Sequence, residues 1–167
     1  MASKKVMKLV FVVVVLTVTS SLVIASPIEV GSGLNNAGLY IEWSDGYSIE
    51  FIVKFEDTTI SGLDLFDTVE SKTTLTTVRQ DYGWGIFIDG ITYEGHSNSG
   101  YGGGEDWWHY WIKNSGQNWV SPAYGAVDRT LYTGDMDGWV YGSATIPEPM
   151  TVAMLALGGL FMRKRRV

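Results

Sequence analysis

An alternating stretch behind a tight turn constrains the fold of this chain most. From Tyr47 to Phe55, every second residue is aromatic or β-branched, and polar residues fill most of the positions between them. A period of two places these apolar side chains on one face, which is typical of a half-buried strand. Asp45-Gly46 stands directly before this stretch and supplies the positive φ angles of a tight turn. The sequence therefore predicts a β-hairpin from Leu39 to Phe55.

One helix and several further strands follow. Ser61-Gly62-Leu63-Asp64 is typical of a helix N-terminus, and apolar residues recur at helical spacing after it, which predicts a short helix from Gly62 to Ser71. The remaining predicted strands cover 73–79, 84–88, 91–93, 107–113 and 139–141, with a second Asp-Gly turn at 89–90. These elements predict the α+β class: a small, mostly antiparallel sheet with one short packed helix.

The chain divides into four parts. Residues 1–25 and 146–167 have the composition of targeting segments. Residues 26–38 are rich in Gly, Asn and Ser and are interpreted as a flexible lead-in, and residues 39–145 are the predicted globular domain, with a Gly- and Ser-rich loop at 96–104. No cysteine is present, so the domain relies on its own core rather than on disulfides.

The central part of the chain is strongly acidic. Between Ser26 and Ile146 there are five basic and 17 acidic residues, a net charge of −12, whereas the whole chain carries −6. Such a field repels nucleic acid and anionic lipid. We therefore expect no nucleic-acid partner.

Aromatic residues are concentrated in the same part, which holds all seven Trp and all nine Tyr. The strand predicted at 107–113 is the richest segment and would carry bulky side chains on both faces. One helix of about ten residues, roughly 15 Å long, covers only one face of a sheet of five or six strands, so some aromatic residues should stay exposed. The predicted ligand-binding residues are Trp107, His109, Trp111 and Trp119.

Such a surface suits a sugar ring or another small flat ligand, because aromatic faces offer a large contact area at low entropic cost. Glu105 and Asp106 stand beside it and favour a neutral or cationic ligand, or a glycan with a bridging metal, over a phosphate. The alternative is a structural matrix protein without a small-molecule ligand, in which all aromatic residues belong to the core and the acidic surface keeps the protein soluble.

Catalytic motifs are missing from the sequence. His96 and His109 are the only histidines, which excludes a zinc site of three histidines. The segment 135–138, Asp-Met-Asp-Gly, resembles part of a calcium loop, but the remaining ligands of an EF-hand are missing, so a solvated turn is expected there. No Gly-x-Ser-x-Gly elbow is present. We expect a protein that is not an enzyme and has no catalytic residue, metal site or cofactor.

The first 25 residues have the three parts of a secretory signal peptide. Lys4, Lys5 and Lys8 form the basic region, an apolar stretch runs from Leu9 to Val18, and a small-residue cleavage site stands at 23–25. Ser26 is the expected first residue after cleavage. We therefore expect the protein to be exported.

The C-terminal tail also has three parts in a fixed order. Pro147, Glu148 and Pro149 interrupt regular structure, 13 uncharged residues follow at 150–162, and a basic cluster comes last. As a helix, the uncharged run would be about 20 Å long, shorter than the roughly 30 Å hydrocarbon core of a bilayer. The basic cluster would stay on the cytoplasmic side of the membrane. Its residues are Arg163, Lys164, Arg165 and Arg166.

This tail resembles the PEP-CTERM sorting signal of bacterial surface proteins, in which Pro-Glu-Pro, a short apolar helix and an Arg-rich cluster follow one another. The resemblance covers the last 22 residues. It implies an exosortase-type processing enzyme as a partner, a transient stay in the inner membrane through the helix at 150–162, and delivery to the cell envelope, cell surface or extracellular matrix. It also implies a bacterium that secretes polysaccharide, which makes exopolysaccharide a candidate ligand.

The central part resembles the transcobalamin-like C-terminal domain over about 47–141. The shared motifs stand in the same order: a short helix, an Ile-x-Gly hairpin at 88–90, an aromatic strand at 108–114, and Gly134-Asp135 before Trp139-Val140-Tyr141. The resemblance implies a small α+β fold. As a further alternative for the function, it implies a cobalamin-like or other cofactor-binding surface protein.

Overall fold

The computed structural model describes residues 26–83, 85–104, 106–142 and 146. This part of the chain is mostly β-sheet and has one short helix. The predicted signal peptide at 1–25 and the tail at 147–167, with its predicted membrane helix and basic cluster, lie outside the described residues. Among the residues that are described, no helix has the length and apolar character needed to cross a membrane.

The described residues form ten strands and one helix. In chain order they are β1 (Ile28–Gly31), β2 (Asn35–Glu42), β3 (Ser48–Phe55), β4 (Ile60–Ser61), α1 (Gly62–Lys72), β5 (Thr76–Asp81), β6 (Ile86–Tyr93), β7 (His96–Ser99), β8 (Trp108–Lys113), β9 (Thr130–Leu131) and β10 (Met136–Tyr141). The strands pair into a five-stranded sheet, β1-β3-β2-β10-β8, a three-stranded sheet, β5-β6-β7, and the short pair β4-β9.

The five-stranded sheet is mixed rather than mostly antiparallel. β1 pairs with β3 and β10 pairs with β2 in parallel, whereas the β2–β3 and β8–β10 pairs are antiparallel. The smaller sheets are antiparallel throughout. The predicted antiparallel arrangement therefore holds for five of the seven strand pairs described and is wrong for β1–β3 and β2–β10. The direction of pairing between segments so far apart leaves no local signal in the sequence.

The β2–β3 hairpin forms as the alternating stretch predicts. Its turn contains Asp45 and Gly46, and the glycine has a φ of +82°. The Asp45 carboxylate accepts a hydrogen bond from the Tyr47 amide at 3.0 Å, which fixes the turn. The apolar residues of the alternation within β3 are all buried: Ile49, Phe51, Val53 and Phe55.

Helix α1 begins where the capping signature predicts. The Ser61 hydroxyl accepts a hydrogen bond from the Asp64 amide at 3.1 Å, which satisfies one of the unpaired amides of a helix start. Leu65, Phe66 and Val69 are fully buried and hold the helix against the five-stranded sheet. The helix thus covers part of one face of that sheet, as expected for an amphipathic segment.

The second Asp-Gly pair is not a turn, which corrects the predicted hairpin at 84–93. β6 continues through Gly90 without a break, and the chain turns instead at Glu94-Gly95, whose φ angles are +48° and +92°. An added Cβ at Gly90 would lie 3.0 Å from the Ser99 side chain and 3.2 Å from that of Val78. This glycine therefore serves close packing between strands. The loop predicted at 96–104 accordingly begins as β7.

The segment 26–38 is part of the sheet rather than a flexible lead-in. β1 pairs with β3 over four residues, and β2 already begins at Asn35. The connection between them turns at Gly31 and Gly33, whose φ angles are +78° and +136°. An added Cβ at Gly33 would collide with the Phe55 carbonyl, so the glycine content that suggested flexibility reflects a close backbone crossing.

The five-stranded sheet has an inner face, which packs on α1 and on the three-stranded sheet, and an outer face on the opposite side. On the inner face, the Phe66 ring of α1 lies 5.6 Å from the Trp139 ring of β10. The Trp43 indole, just after β2, donates a hydrogen bond to the Ile91 carbonyl of β6 at 2.9 Å. These contacts join the helix and the two larger sheets around one core.

Candidate functional site

A cleft with aromatic walls lies where the three-stranded sheet, β8 and the segment 121–128 meet. Its volume is about 660 Å³, within the roughly 300–1,000 Å³ that is common for ligand pockets. Among the described residues, eight aromatic ones line this aromatic cleft, five in its walls and three in its floor.

The walls consist of exposed rings. Tyr101 is 72% exposed, Tyr82 57%, Phe87 45%, Tyr124 44% and Trp107 43%. Within the described part of the chain, Tyr132 is the one other aromatic residue with a comparable exposed fraction. Exposed aromatic side chains that gather in one concave place are typical of a binding site, whereas single ones scattered over a surface are ordinary.

The floor consists of Trp108, Tyr110 and Trp139, which belong to the inner face of the sheet. The rings of Tyr110 and Trp139 stack, with centroids 4.7 Å apart and planes inclined by 26°. The Trp108 indole donates a hydrogen bond to the Asn98 carbonyl at 3.2 Å. Because these rings are held by their neighbours, the floor needs no ordering when a ligand arrives, which lowers the entropic cost of binding.

The Trp139 ring lines the floor, but its indole nitrogen is inaccessible to solvent. This nitrogen has no hydrogen-bond partner among the described residues. Leaving a buried donor unpaired costs about 1–3 kcal/mol.

Carboxylates are the only charged groups that line the cleft, as far as the described residues show. They belong to Asp89 and Asp128, which are both exposed. Basic side chains of the described part lie elsewhere; Arg79, for example, forms ion pairs of 2.7 Å with Asp67 and Glu70. The cleft is therefore acidic and repels anions.

A buried polar network supports the floor from below. The Tyr110 hydroxyl donates a hydrogen bond to Asp137 Oδ2 at 2.7 Å, and Arg129 Nε donates to Asp137 Oδ1 at 3.3 Å. Burial raises the pKa of Asp137 to about 6, against the lowering effect of Tyr110 and Arg129. Burial and the neighbouring Asp137 charge also raise the pKa of Tyr110 well above its ordinary value. The network fixes the position of the Tyr110 ring.

This network corrects the expectation of a solvated turn at 135–138. Asp135 and Asp137 are 5% and 0% exposed, because the segment leads into β10, which lies between β2 and β8 inside the five-stranded sheet. Asp135 accepts hydrogen bonds from the amides of Ser115 and Tyr132 at 2.9 and 3.0 Å. Gly62 leaves room for the network, since an added Cβ there would lie 2.5 Å from Asp137 Oδ2.

The four predicted ligand-binding residues divide between the cleft and the outer face. Trp107 lines the cleft, and its ring centroid lies 3.9 Å from that of His109. His109 and Trp111 lie on the outer face, because they alternate along β8 with the floor residues; His109 is buried there, and Trp111 is half-buried. Trp119 crosses the same face, since an added Cβ at Gly138 would lie 3.0 Å from its ring.

Tyr82, Phe87, Tyr101 and Tyr124 were not predicted from the sequence. The three tyrosines lie outside the strands, in segments where hydrophobic periodicity gives no information. Each of them stands directly before a glycine, at 82–83, 101–102 and 124–125. A repeated Tyr-Gly pair in turn segments was therefore the available signal for exposed rings on short, irregular connections.

No three acidic or histidine side chains of the described residues come together in a way that could hold a metal ion. Comparison with known proteins finds no matching family model, curated protein or solved structure. The function is therefore inferred from the cleft and from the two ends of the chain.

Proposed function

We propose that this protein is an exported, non-catalytic binding module that holds a flat ligand, such as a sugar ring, in its aromatic cleft. The single observation that supports this proposal most is the gathering of five of the six exposed aromatic residues of the described chain around one cleft. Exposing so much aromatic surface to water is unfavourable, and a ligand with a flat apolar face removes that cost.

The cellular part of the proposal rests on the two ends of the chain. The N-terminal segment at 1–25 supports export, and the tail at 146–167 supports sorting by an exosortase-type enzyme to the cell envelope, cell surface or extracellular matrix. A module at that location would meet exopolysaccharide and small molecules from the medium.

The proposal is tested by screening the purified protein against immobilised oligosaccharides and flat small molecules, with cobalamin included as the cofactor alternative. A hit is then titrated into Tyr124→Ala and Trp107→Ala variants. Because one aromatic stacking contact contributes about 0.5–1.5 kcal/mol, each variant should bind about three to ten times more weakly than the unchanged protein.

Tyr132→Ala is the matched control, because Tyr132 is 60% exposed but does not line the cleft. Its affinity should equal that of the unchanged protein. If the two cleft variants and the Tyr132 variant bind equally well, the ligand sits elsewhere. A screen without any hit would favour the structural matrix protein instead.

A further inference from the structure

We propose that the ligand of the aromatic cleft is a glycan whose sugar rings carry protonated amino groups. This inference rests on the proposed function and narrows it to one class of ligand. The aromatic ring faces and the exposed carboxylates of the cleft each match one part of such a molecule.

The walls match the flat faces of sugar rings. Tyr82, Tyr101 and Tyr124 reach the cleft from three separate segments of the chain, and Phe87 and Trp107 complete the walls. The C–H groups on a sugar face are apolar and pack against aromatic rings, while the hydroxyls remain at the edge of the contact. The cleft volume is in the range that holds drug-sized ligands, so a short oligosaccharide fits its dimensions.

The carboxylates match the amino groups. Asp89 and Asp128 line the cleft, and none of the other lining residues that the structure describes is charged. An ammonium group is attracted both to such carboxylates and to the negative faces of aromatic rings. A uronic acid or a sulfated sugar would instead be repelled, and the net charge of −12 over 26–146 adds to that repulsion.

The experiment compares two tetrasaccharides with the same β-1,4 linkage, one of glucosamine and one of N-acetylglucosamine. They differ in the charge and acetylation of the amino group. Each is titrated calorimetrically into the purified full chain at mildly acidic pH, where the free amines are protonated. The glucosamine tetramer should bind at least tenfold more tightly, and raising the salt concentration should reduce that preference because it screens exposed charges. A galacturonic acid tetramer should show no binding.

The paired variant Asp89→Asn with Asp128→Asn should remove the preference for the glucosamine tetramer. Asp57→Asn is its control, because Asp57 is an exposed carboxylate outside the cleft and should leave the preference unchanged. Thermal unfolding of each variant verifies that it is folded.

Equal affinity of the unchanged protein for both tetramers, or a preference that survives in the paired variant, would overturn this inference. If both tetramers bind equally and Tyr124→Ala weakens both, the amino-sugar class is wrong while the proposed function stands. If neither tetramer binds, the amino-sugar class is also wrong, and the wider screen decides separately on the proposed function.

Discussion

Asp137 is completely buried, and burial raises the pKa of its carboxyl group from 3.8 to about 6. Between about pH 4 and pH 6, the folded protein therefore holds a proton at this residue that the unfolded chain has already lost. The contribution of Asp137 to the free energy of unfolding decreases as the pH rises through this window, by at most about 3 kcal/mol, and is constant above it.

We predict that Asp137→Asn removes this part of the pH dependence, because asparagine does not titrate. Urea unfolding at pH 5 and pH 7.5 measures it. The unchanged protein should lose more stability than the variant between the two values, whereas Asp57→Asn, at an exposed site, should follow the unchanged protein. A stability difference between the unchanged protein and Asp137→Asn that stays constant with pH would contradict the predicted shift.

Single residues also show which parts of the candidate site could be predicted from the sequence and which could not. Trp107 could be predicted, because an excess of aromatic residues around one strand cannot all be covered by one helix. Trp107, His109 and Trp111 were predicted to share one face of the strand. In the structure, His109 and Trp111 lie on the outer face, away from the cleft. Tyr82 and Tyr101 follow β5 and β7, whereas Tyr124 lies between β8 and β9, so the three rings come together only through tertiary packing, which local patterns do not contain.

At the scale of the elements, polar contacts join the turn of the β2–β3 hairpin to the β6–β7 hairpin. His96 Nδ1 lies 2.6 Å from Asp45 Oδ2, and the His96 ring stacks on Tyr47 with centroids 3.8 Å apart. Asn98 Oδ1 accepts a hydrogen bond from the Ser44 amide at 3.0 Å beside it. The hydrogen bond to His96 lowers the pKa of Asp45, because it favours the ionised carboxylate.

We predict that His96→Ala raises the pKa of Asp45 towards its ordinary value and speeds hydrogen exchange at the Ser44 amide. Because the pKa of Asp45 is lowered, the contact stabilises the fold fully at a pH above the ordinary pKa of aspartate. That stabilisation is lost as the pH falls through the lowered pKa of Asp45. A nuclear magnetic resonance titration of the Asp45 carboxyl measures the change. Tyr47→Phe keeps the stacked ring and should leave the Asp45 pKa as it is; an unaltered pKa in His96→Ala would contradict the role of the contact.

Elements with local signals could be predicted, and elements defined by distant partners could not. The β2–β3 hairpin and α1 follow from an Asp-Gly turn, a period of two and a capping serine, all within a few residues of one another. The segment of β1 was predicted as a loop because Gly31 and Gly33 stand at and just after its end. Gly90 was predicted to be in a turn because it follows an aspartate, as in a common turn sequence. In both places, the glycine is required by a neighbouring strand.

For the whole molecule, the proposed sorting signal gives the clearest cellular test. We predict that replacing Pro147, Glu148 and Pro149 with alanine leaves the protein in the inner membrane with its tail intact. The continuous helix that alanine permits would remove the motif that the processing enzyme is proposed to recognise. Cell fractionation and intact-mass measurement would detect the retained tail. Pro122→Ala, a proline in the central part, should be processed normally, and normal processing of the triple variant would refute the sorting proposal.

β10 lies inside the five-stranded sheet, between β2 and β8, although it is the last strand described along the chain. Near its start, the Thr133 hydroxyl donates a hydrogen bond to Asn35 Oδ1 across 98 positions of sequence. Folds with such distant contacts form slowly, because the separated segments must first meet. If the chain is exported N-terminus first, as proposed, β8 would have no hydrogen-bonded neighbour in the five-stranded sheet until β10 had also crossed the membrane. The domain would therefore stay incompletely folded, and able to cross the membrane as an extended chain, for as long as translocation lasted.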